Sequence, residues 1–235
     1  MAKEQYIVGL DIGTQNVRVV QAKVDAASGV VSIVGASLGT ATGMRKGVIV
    51  DIDEVVSSVS QGLEKVERMT GVPVTTVSVS VGGNHIQCLE SKGVIAVSKP
   101  DGEITDNDII RVIDASQAIS IPANREVIHV IPKSFTVDGQ TGIKDPLGMT
   151  GIRLEVETII VHGGIPFLKN LHRTIAQAGL EVEDMVLSPL AASSAVLSKR
   201  QKELGVVVVD LGAGTTNVAV YEENNLLHTA VIPLG

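Results

Sequence analysis

The spacing of apolar residues changes several times along the chain, and each change predicts an element. Ile7–Leu10 is a short apolar run that ends on Asp11; Gly13 and an alternating stretch through Val17 and Val19 follow. This predicts a strand, a tight turn and a second strand, with Val30–Ala36 as a third strand closing a meander. The period then lengthens. Ile52, Val55, Val56, Val59, Leu63, Val66 and Met69 recur at steps of three and four, which predicts a helix over Ile52–Met69. Asp51 with Glu54 resembles a capping box before it, and Gly71 suits its C-terminal stop. Val74–Val81 alternates again as a strand.

His85–Val161 is of mixed character, with short strands, turn signals at Pro100–Gly102, Asp138-Gly139 and Asp145-Pro146, and one helix starting near Thr105 with Asp108 at the capping position. It is neither Ser/Gly-rich nor poor in apolar residues, so it reads as an inserted subdomain rather than a linker. Beyond it, Pro166–Ala178 predicts a helix and Leu180–Val186 a strand. Ser188-Pro189 opens a further helix, with the serine as N-cap and the proline at its first position. The run Val206–Val209 has the profile of a strand buried on both faces, and Thr216–Tyr221 and Leu226–Ile232 are further strands.

Composition narrows the classes. With 235 residues, the chain has room for one large or two modest cores, and an aromatic share of 2% leaves those cores to Val, Ile, Leu and Ala. A formal charge of −7 argues against nucleic acid as the main partner. His85, His129, His162, His172 and His228 are scattered, without the spacing of a zinc site. Cys88 stands alone, which excludes an internal disulfide and fits a reducing cytoplasm. It reads as a small core residue rather than a nucleophile. No apolar stretch approaches the roughly 20 residues that cross a bilayer, and Met1–Gln5 lacks a signal segment, so the expectation is a soluble, cytoplasmic protein.

The most informative feature is an internal echo. DIGTQNVRV at Asp11–Val19 returns as DLGAGTTNVAV at Asp210–Val220, with Gly-Thr-x-Asn-Val-x-Val shared at Gly13–Val19 and Gly214–Val220. On that match the second copy has two extra residues between its Asp and the shared Gly. Each follows an apolar strand, which suggests duplicated half-domains facing one cleft. Glycines let such a turn bring backbone N–H groups against an anion, and Thr14, Thr215 and Thr216 add hydroxyl donors. Asp11 and Asp210 make sense beside phosphate only through a cation, and hydrated Mg²⁺ fits. The candidate nucleotide-binding set is Asp11, Gly13, Thr14, Gln15, Asn16, Asp210, Gly212, Ala213, Gly214, Thr215 and Thr216, with Asp11 and Asp210 as metal ligands; no catalytic residue is assigned. There is no Walker-type loop, and Gly212–Gly214 departs from a dinucleotide fingerprint because Asn217 replaces its third glycine and a β-type segment follows.

GLDIGT at Gly9–Thr14 and VDLGAGTT at Val209–Thr216 resemble the two phosphate motifs of the actin/Hsp70/sugar-kinase superfamily. Within it, RKGVIVDID (Arg45–Asp53), VIPKSFTVDGQ (Val130–Gln140), GIKDPLGMTGIRL (Gly142–Leu154) and ELGVVVVD (Glu203–Asp210) resemble the FtsA family of actin-like cell-division proteins, over essentially the whole chain. The resemblance implies an α/β, actin-like (ribonuclease H-like) mixed sheet with flanking helices, plus a small inserted α+β subdomain. It implies ATP and Mg²⁺ as cofactors, with residues 1–82 and 162–190 as subdomain 1A, 83–161 as the inserted 1C, and 191–235 as the start of 2A. It further implies filaments, a link between the FtsZ ring and the membrane, and recruitment of later division proteins through 83–161. FtsZ contact and membrane tethering, by a C-terminal amphipathic helix, would lie in regions absent here, at the cytoplasmic face of the inner membrane. The chain therefore reads as an N-terminal fragment that binds ATP feebly.

Two departures bear on chemistry. Relatives often carry a Lys in the first turn where this chain has Asn16, and commonly have Glu-Pro where it has Ser188-Pro189. A serine is no carboxylate base, so slow or absent ATP hydrolysis is expected. The alternatives are a PilM-like adaptor, against which Gly142–Leu154 argues, and a kinase or ATPase of the same superfamily, which calls for a catalytic carboxylate that cannot be assigned. Asp51, Asp53 and Glu54 read as helix-capping charge rather than a metal cluster. Arg45-Lys46 reads as a solvated turn, and Arg111, Arg125 and Arg153 are candidate interface residues.

Overall fold

The computed structural model describes residues 5–119 and 121–235, so the first four residues of the polar N-terminus lie outside the described residues. The opening meander forms as expected: β1 (Gln5–Ile12), β2 (Asn16–Val24) and β3 (Val31–Thr40) pair antiparallel in sequence order. A small hairpin, β4 (Met44–Arg45) with β5 (Val48–Ile49), occupies the segment read as a solvated turn. The helix α1 (Ile52–Thr70) then returns the chain to β6 (Thr76–Val81), which runs parallel to β1. After the insertion, α3 (Ile165–Gln177) leads to β11 (Glu181–Leu187), parallel to β6. The resulting order, β3-β2-β1-β6-β11, is a ribonuclease H-like mixed sheet.

Asp51 caps α1 by accepting the Glu54 N–H at 3.0 Å, and Gly71 ends it in the left-handed region at φ 69°. The buried face is Val55, Ser58, Val59, Gly62, Leu63 and Val66. Met69, placed on the apolar stripe by its spacing, is 62% exposed instead. Gly62 takes part because a Cβ there would lie 3.1 Å from Val19 Cγ2, so the helix can lie close on β2. Val8, Leu10, Ile12, Val17 and Val19 meet this face to form the first core, with Ile175 of α3 joining it.

The insertion builds its own antiparallel sheet, β7-β10-β8-β9, from β7 (Gln87–Ala96), β8 (Arg125–Val137), β9 (Gln140–Ile143) and β10 (Arg153–Gly164). The helix α2 (Asp106–Ser116) packs on it over Ile104, Val112, Phe135, Leu154 and Val156. Thr105 is the N-cap of α2, and Asp108 is its reciprocal partner three residues later. The Asp108 carboxylate is fully buried and accepts bonds from Thr105, Ser98 and Arg111, the Thr105 hydroxyl foremost, which holds its pKa below the usual carboxylate range. Arg111 is thereby engaged within the insertion.

The helices α4 (Ser188–Val196) and α5 (Lys199–Leu204) lead into a second meander, β12 (Val206–Leu211), β13 (Thr216–Glu222) and β14 (Asn225–Ile232). Ser188 does not cap α4. It lies inside the helix after Leu187, and its hydroxyl donates to the Val81 carbonyl at 2.9 Å, tying α4 to the end of β6. Nor is Val206–Val209 buried on both faces. β12 is an edge strand, and Val207 and Val209 are 55% and 53% exposed.

The root of the insertion is rich in neutral imidazole. His129 Nε2 on β8 accepts the Leu187 N–H at 3.0 Å, and His162 Nδ1 on β10 accepts Arg125 Nε–H at 2.6 Å. The Arg125 guanidinium also donates to the His85 carbonyl, so this arginine faces inward. Burial lowers the pKa of His129 and His162, and that of His85 to about 4, with Arg125 adding to the shift for His85 and His162. A histidine pKa depressed in the fold contributes stability that is present above the unfolded value near 6.5 and is lost as pH falls through the folded value. The urea midpoint is therefore expected to fall between pH 6.5 and 4, and His129→Asn, which keeps a neutral acceptor, to flatten that profile. Identical pH profiles for the two proteins would refute the assignment.

Candidate functional site

Both turns are built alike. In the first, Gly13 N–H donates to the Asn16 carbonyl at 2.9 Å; in the second, Gly212 N–H donates to the Thr215 carbonyl at 2.9 Å. Asp11 sits directly across from Arg18, and Asp210 across from Asn217. The turns therefore superpose Asp on Asp with no insertion, pairing Gly13 with Gly212 and Asn16 with Thr215. The shared sequence string aligns Gly13 with Gly214, two residues further on. A slide of two residues keeps every side chain on its own face, so the string and the fold can disagree without disturbing the alternation.

The two turns face one polar cavity of about 200 Å³. Of the candidate residues, Asp11, Gly13, Thr14, Gln15, Asn16, Asp210, Gly212, Ala213 and Thr215 line it. Gly214 and Thr216 do not. Gly214 is buried against Thr14, where an added Cβ would lie 2.9 Å from the Thr14 hydroxyl, and the Thr216 hydroxyl donates to the Leu234 carbonyl at 2.8 Å.

The cavity also contains residues that the turn motifs did not reveal. Arg18 Nη1 donates to Asp11 Oδ2 at 2.7 Å, and Ser80 Oγ donates to Asp11 Oδ1 at 2.5 Å. A guanidinium is thus present in the cleft although Asn16 carries no charge. Asn217 Nδ2 donates to Asp210 Oδ2 at 3.1 Å, and the buried Asn217 Oδ1 has no hydrogen-bond partner. Gly82 approaches both sides: a Cβ on it would lie 3.2 Å from Ser188 Oγ and 3.8 Å from Asn217 Oδ1. Among the described residues, no group of three or more His, Cys, Asp or Glu side chains is arranged to hold a metal. The atoms that could ligate a metal here, the Asp210 carboxylate and the orphaned Asn217 Oδ1, are oxygens, and such a pair fits a hard, largely hydrated cation such as Mg²⁺ better than a softer metal.

Elsewhere, Cys88 is half-buried, and burial pushes its thiol up to about 11, as for an inert packing residue. Among the described residues, no helix is long and apolar enough to cross a membrane.

Comparison with solved structures defines the class. The fold resembles the PilM–PilN type IV pilus biogenesis complex, with a TM-score of 0.65 at 14% identity, covering 97% of this chain and 62% of that one. It also resembles the ethanolamine utilization protein EutJ from Carboxydothermus hydrogenoformans, with a TM-score of 0.51 at 20% identity, covering 98% and 53%. The chain has an actin-like fold carrying an SHS2 insertion.

Sequence comparison narrows this to one family. Residues 83–162 match the model described as the SHS2 domain inserted in FtsA. The chain is 43% identical over 235 residues to the cell division protein FtsA of Bacillus subtilis (strain 168), covering 100% of this chain and 53% of that protein. It is 40% identical over 229 residues to FtsA of Pseudomonas aeruginosa, covering 97% and 54%, and 34% identical over 227 residues to FtsA of Escherichia coli (strain K12), covering 97% and 53%. The chain belongs to the FtsA family of cell-division proteins, and it spans about half the length of the curated relatives it matches.

Proposed function

We propose that the cleft between the two turns binds the phosphates of ATP with Mg²⁺, and that bound nucleotide sets the shape of a filament-forming adaptor. The observation that supports this reading is the pairing of two like Asp–Gly turns across one polar cavity. Gly13, Thr14, Gly212, Ala213 and Thr215 offer backbone N–H groups or hydroxyls to phosphate oxygens. Asp210 and the orphaned Asn217 Oδ1 would hold the hydrated cation. Asp11, already bonded to Arg18 and Ser80, would act as an outer ligand. Bound there, Mg²⁺ supplies positive charge that lets carboxylates and phosphates share the site. Ser188 stands in the cavity wall, and a serine is no carboxylate base, so slow or absent hydrolysis is the consistent expectation.

In this reading, residues 1–82 and 162–190 form subdomain 1A, 191–235 open subdomain 2A, and the inserted 83–161 is the surface that recruits later division proteins. Linkage of FtsZ to the membrane at the division site follows from the family and would draw on parts of the relatives beyond the matched half.

The cavity walls suit phosphate rather than a purine face. The expected affinity for MgATP is therefore weak, with a Kd on the order of 0.1–1 mM, or about −4 to −5.5 kcal/mol. Calorimetry with and without Mg²⁺ tests this, and Asp210→Asn is expected to lower the affinity by about tenfold or more, about 1.4 kcal/mol. Equal binding in excess chelator, or an unaltered Kd in Asp210→Asn, would sink the assignment.

A further inference from the structure

The phosphate reading leaves the tip of the β4–β5 hairpin unused. Lys46 and Gly47 form its turn, both with positive φ, 50° and 71°. A two-residue turn with both residues left-handed favours Asn, Asp or Gly at the first position, so a lysine is held here in an unfavourable conformation. Its location is equally specific. The Gly47 N–H donates to Thr14 Oγ1 at 3.0 Å, and Gly47 lines the cavity. A Cβ on Gly214 would lie 3.1 Å from Lys46 Cα. A Cβ on Gly47 would meet Gly83 Cα at 2.7 Å. The hairpin tip is thus wedged where the first turn meets the second.

Charge gives the position a role. Among the described residues, the ionised side chains lining the cavity are Asp11, Asp210 and Arg18, and Arg18 is already paired with Asp11. A nucleoside triphosphate with one divalent cation brings further negative charge, and its terminal phosphate carries the largest single share. Lys46 is exposed, and among the described residues no carboxylate forms an ion pair with it. A lysine ammonium is a mobile point charge suited to an anion that comes and goes.

Resting on the nucleotide reading above, we propose that Lys46 is a specificity-determining residue of the cleft: its ammonium engages the terminal phosphate of a nucleoside triphosphate, and the hairpin thereby distinguishes triphosphate from diphosphate. The backbone then reports that contact to both turns at once, through Gly47 to Thr14 and through Lys46 to Gly214. An unfavourable backbone conformation retained at such a junction is consistent with a functional constraint on the side chain.

The test separates binding from folding. Asn tolerates the left-handed region better than Lys, and Gly is free in it, so Lys46→Asn and Lys46→Gly are expected to melt at or above the temperature of the unaltered chain. By calorimetry with MgATP and MgADP, both variants are expected to lose about tenfold in ATP affinity, with ADP affinity unchanged, and Lys46→Arg to restore most of the difference. An ATP-to-ADP affinity ratio in Lys46→Asn and Lys46→Gly equal to that of the unaltered chain would overturn the proposal while leaving the nucleotide site intact. Failure of the unaltered chain to bind either nucleotide would instead overturn the nucleotide reading, and this proposal with it.

Discussion

Truncating Leu10 to alanine is expected to lower the unfolding free energy by about 3–5 kcal/mol, whereas Val209→Ala, at the matching place in the second meander, costs less than about 0.5 kcal/mol. The two residues each precede the Asp of their turn and differ in what covers them. Leu10 is 2% exposed under α1, packed with Val55, Val59 and Val79 in the first core, and Val209 is 53% exposed. The same contrast holds along the strands: Val8 and Ile12 are buried, while their counterparts Val207 and Leu211 are 55% and 78% exposed. A large-to-small change leaves a cavity only where neighbours close the space, so the cost follows cover rather than residue type. Urea denaturation of the two variants checks this, and equal losses would show that the second meander buries this face as the first does.

Replacing Gly214 with valine is expected to reduce ATP affinity by about a hundredfold, about 2.7 kcal/mol, and to destabilise the fold by about 1–3 kcal/mol. The added Cβ alone would stand 2.9 Å from Thr14 Oγ1, 3.0 Å from Thr14 Cγ2 and 3.1 Å from Lys46 Cα. Both neighbours are held in place, Lys46 because the contact is to its backbone and Thr14 by the bond from Gly47. Relief requires the turns to move apart, which removes donors from one side of any phosphate between them. Gly9→Ala is the control: a Cβ there meets nothing within 4 Å, so stability and binding should both hold. Melting temperatures and MgATP titrations of the two variants decide it, and a Gly214→Val protein that binds as well as Gly9→Ala would show that turn contact is irrelevant.

Much of this fold was legible because its periods are clean. The alternation around Val17 and Val19 gave the meander, and the three–four spacing from Ile52 gave α1 with both ends placed by Asp51 and Gly71. The errors have local physical causes. Four consecutive valines suggest a strand covered twice, yet Val207 and Val209 lie on a face that no helix covers among the described residues. Ser188 has the chemistry of a cap, but its hydroxyl is bonded to Val81 across the sheet, a tertiary partner no local rule contains. The helix α5 is short and polar, and its only signal was Ser198 with Gln201 three residues on.

The candidate site was half legible. Glycines and threonines announced both turns, while Arg18, Ser80 and Asn217 sit on strands and were not among the candidates. A signal for Arg18 and Asn217 was nonetheless present: each lies seven residues after its Asp, the place directly opposite across the turn. Taking the shared Gly-Thr string as the register concealed this. Lys46 and Gly47 were hidden for a different reason, since only the folded chain brings that hairpin between turns so far apart in sequence.

If the nucleotide reading holds, the two turns act as one phosphate site through a cation. Backbone amide spectra of the isotopically labelled chain, recorded while MgATP is titrated in, test it most directly. The amides of Gly13 and Thr14 and those of Gly212 and Ala213 are expected to shift together, fit a single Kd, and stay in place when Mg²⁺ is chelated. Shifts confined to one turn, or two sets following different affinities, would contradict it.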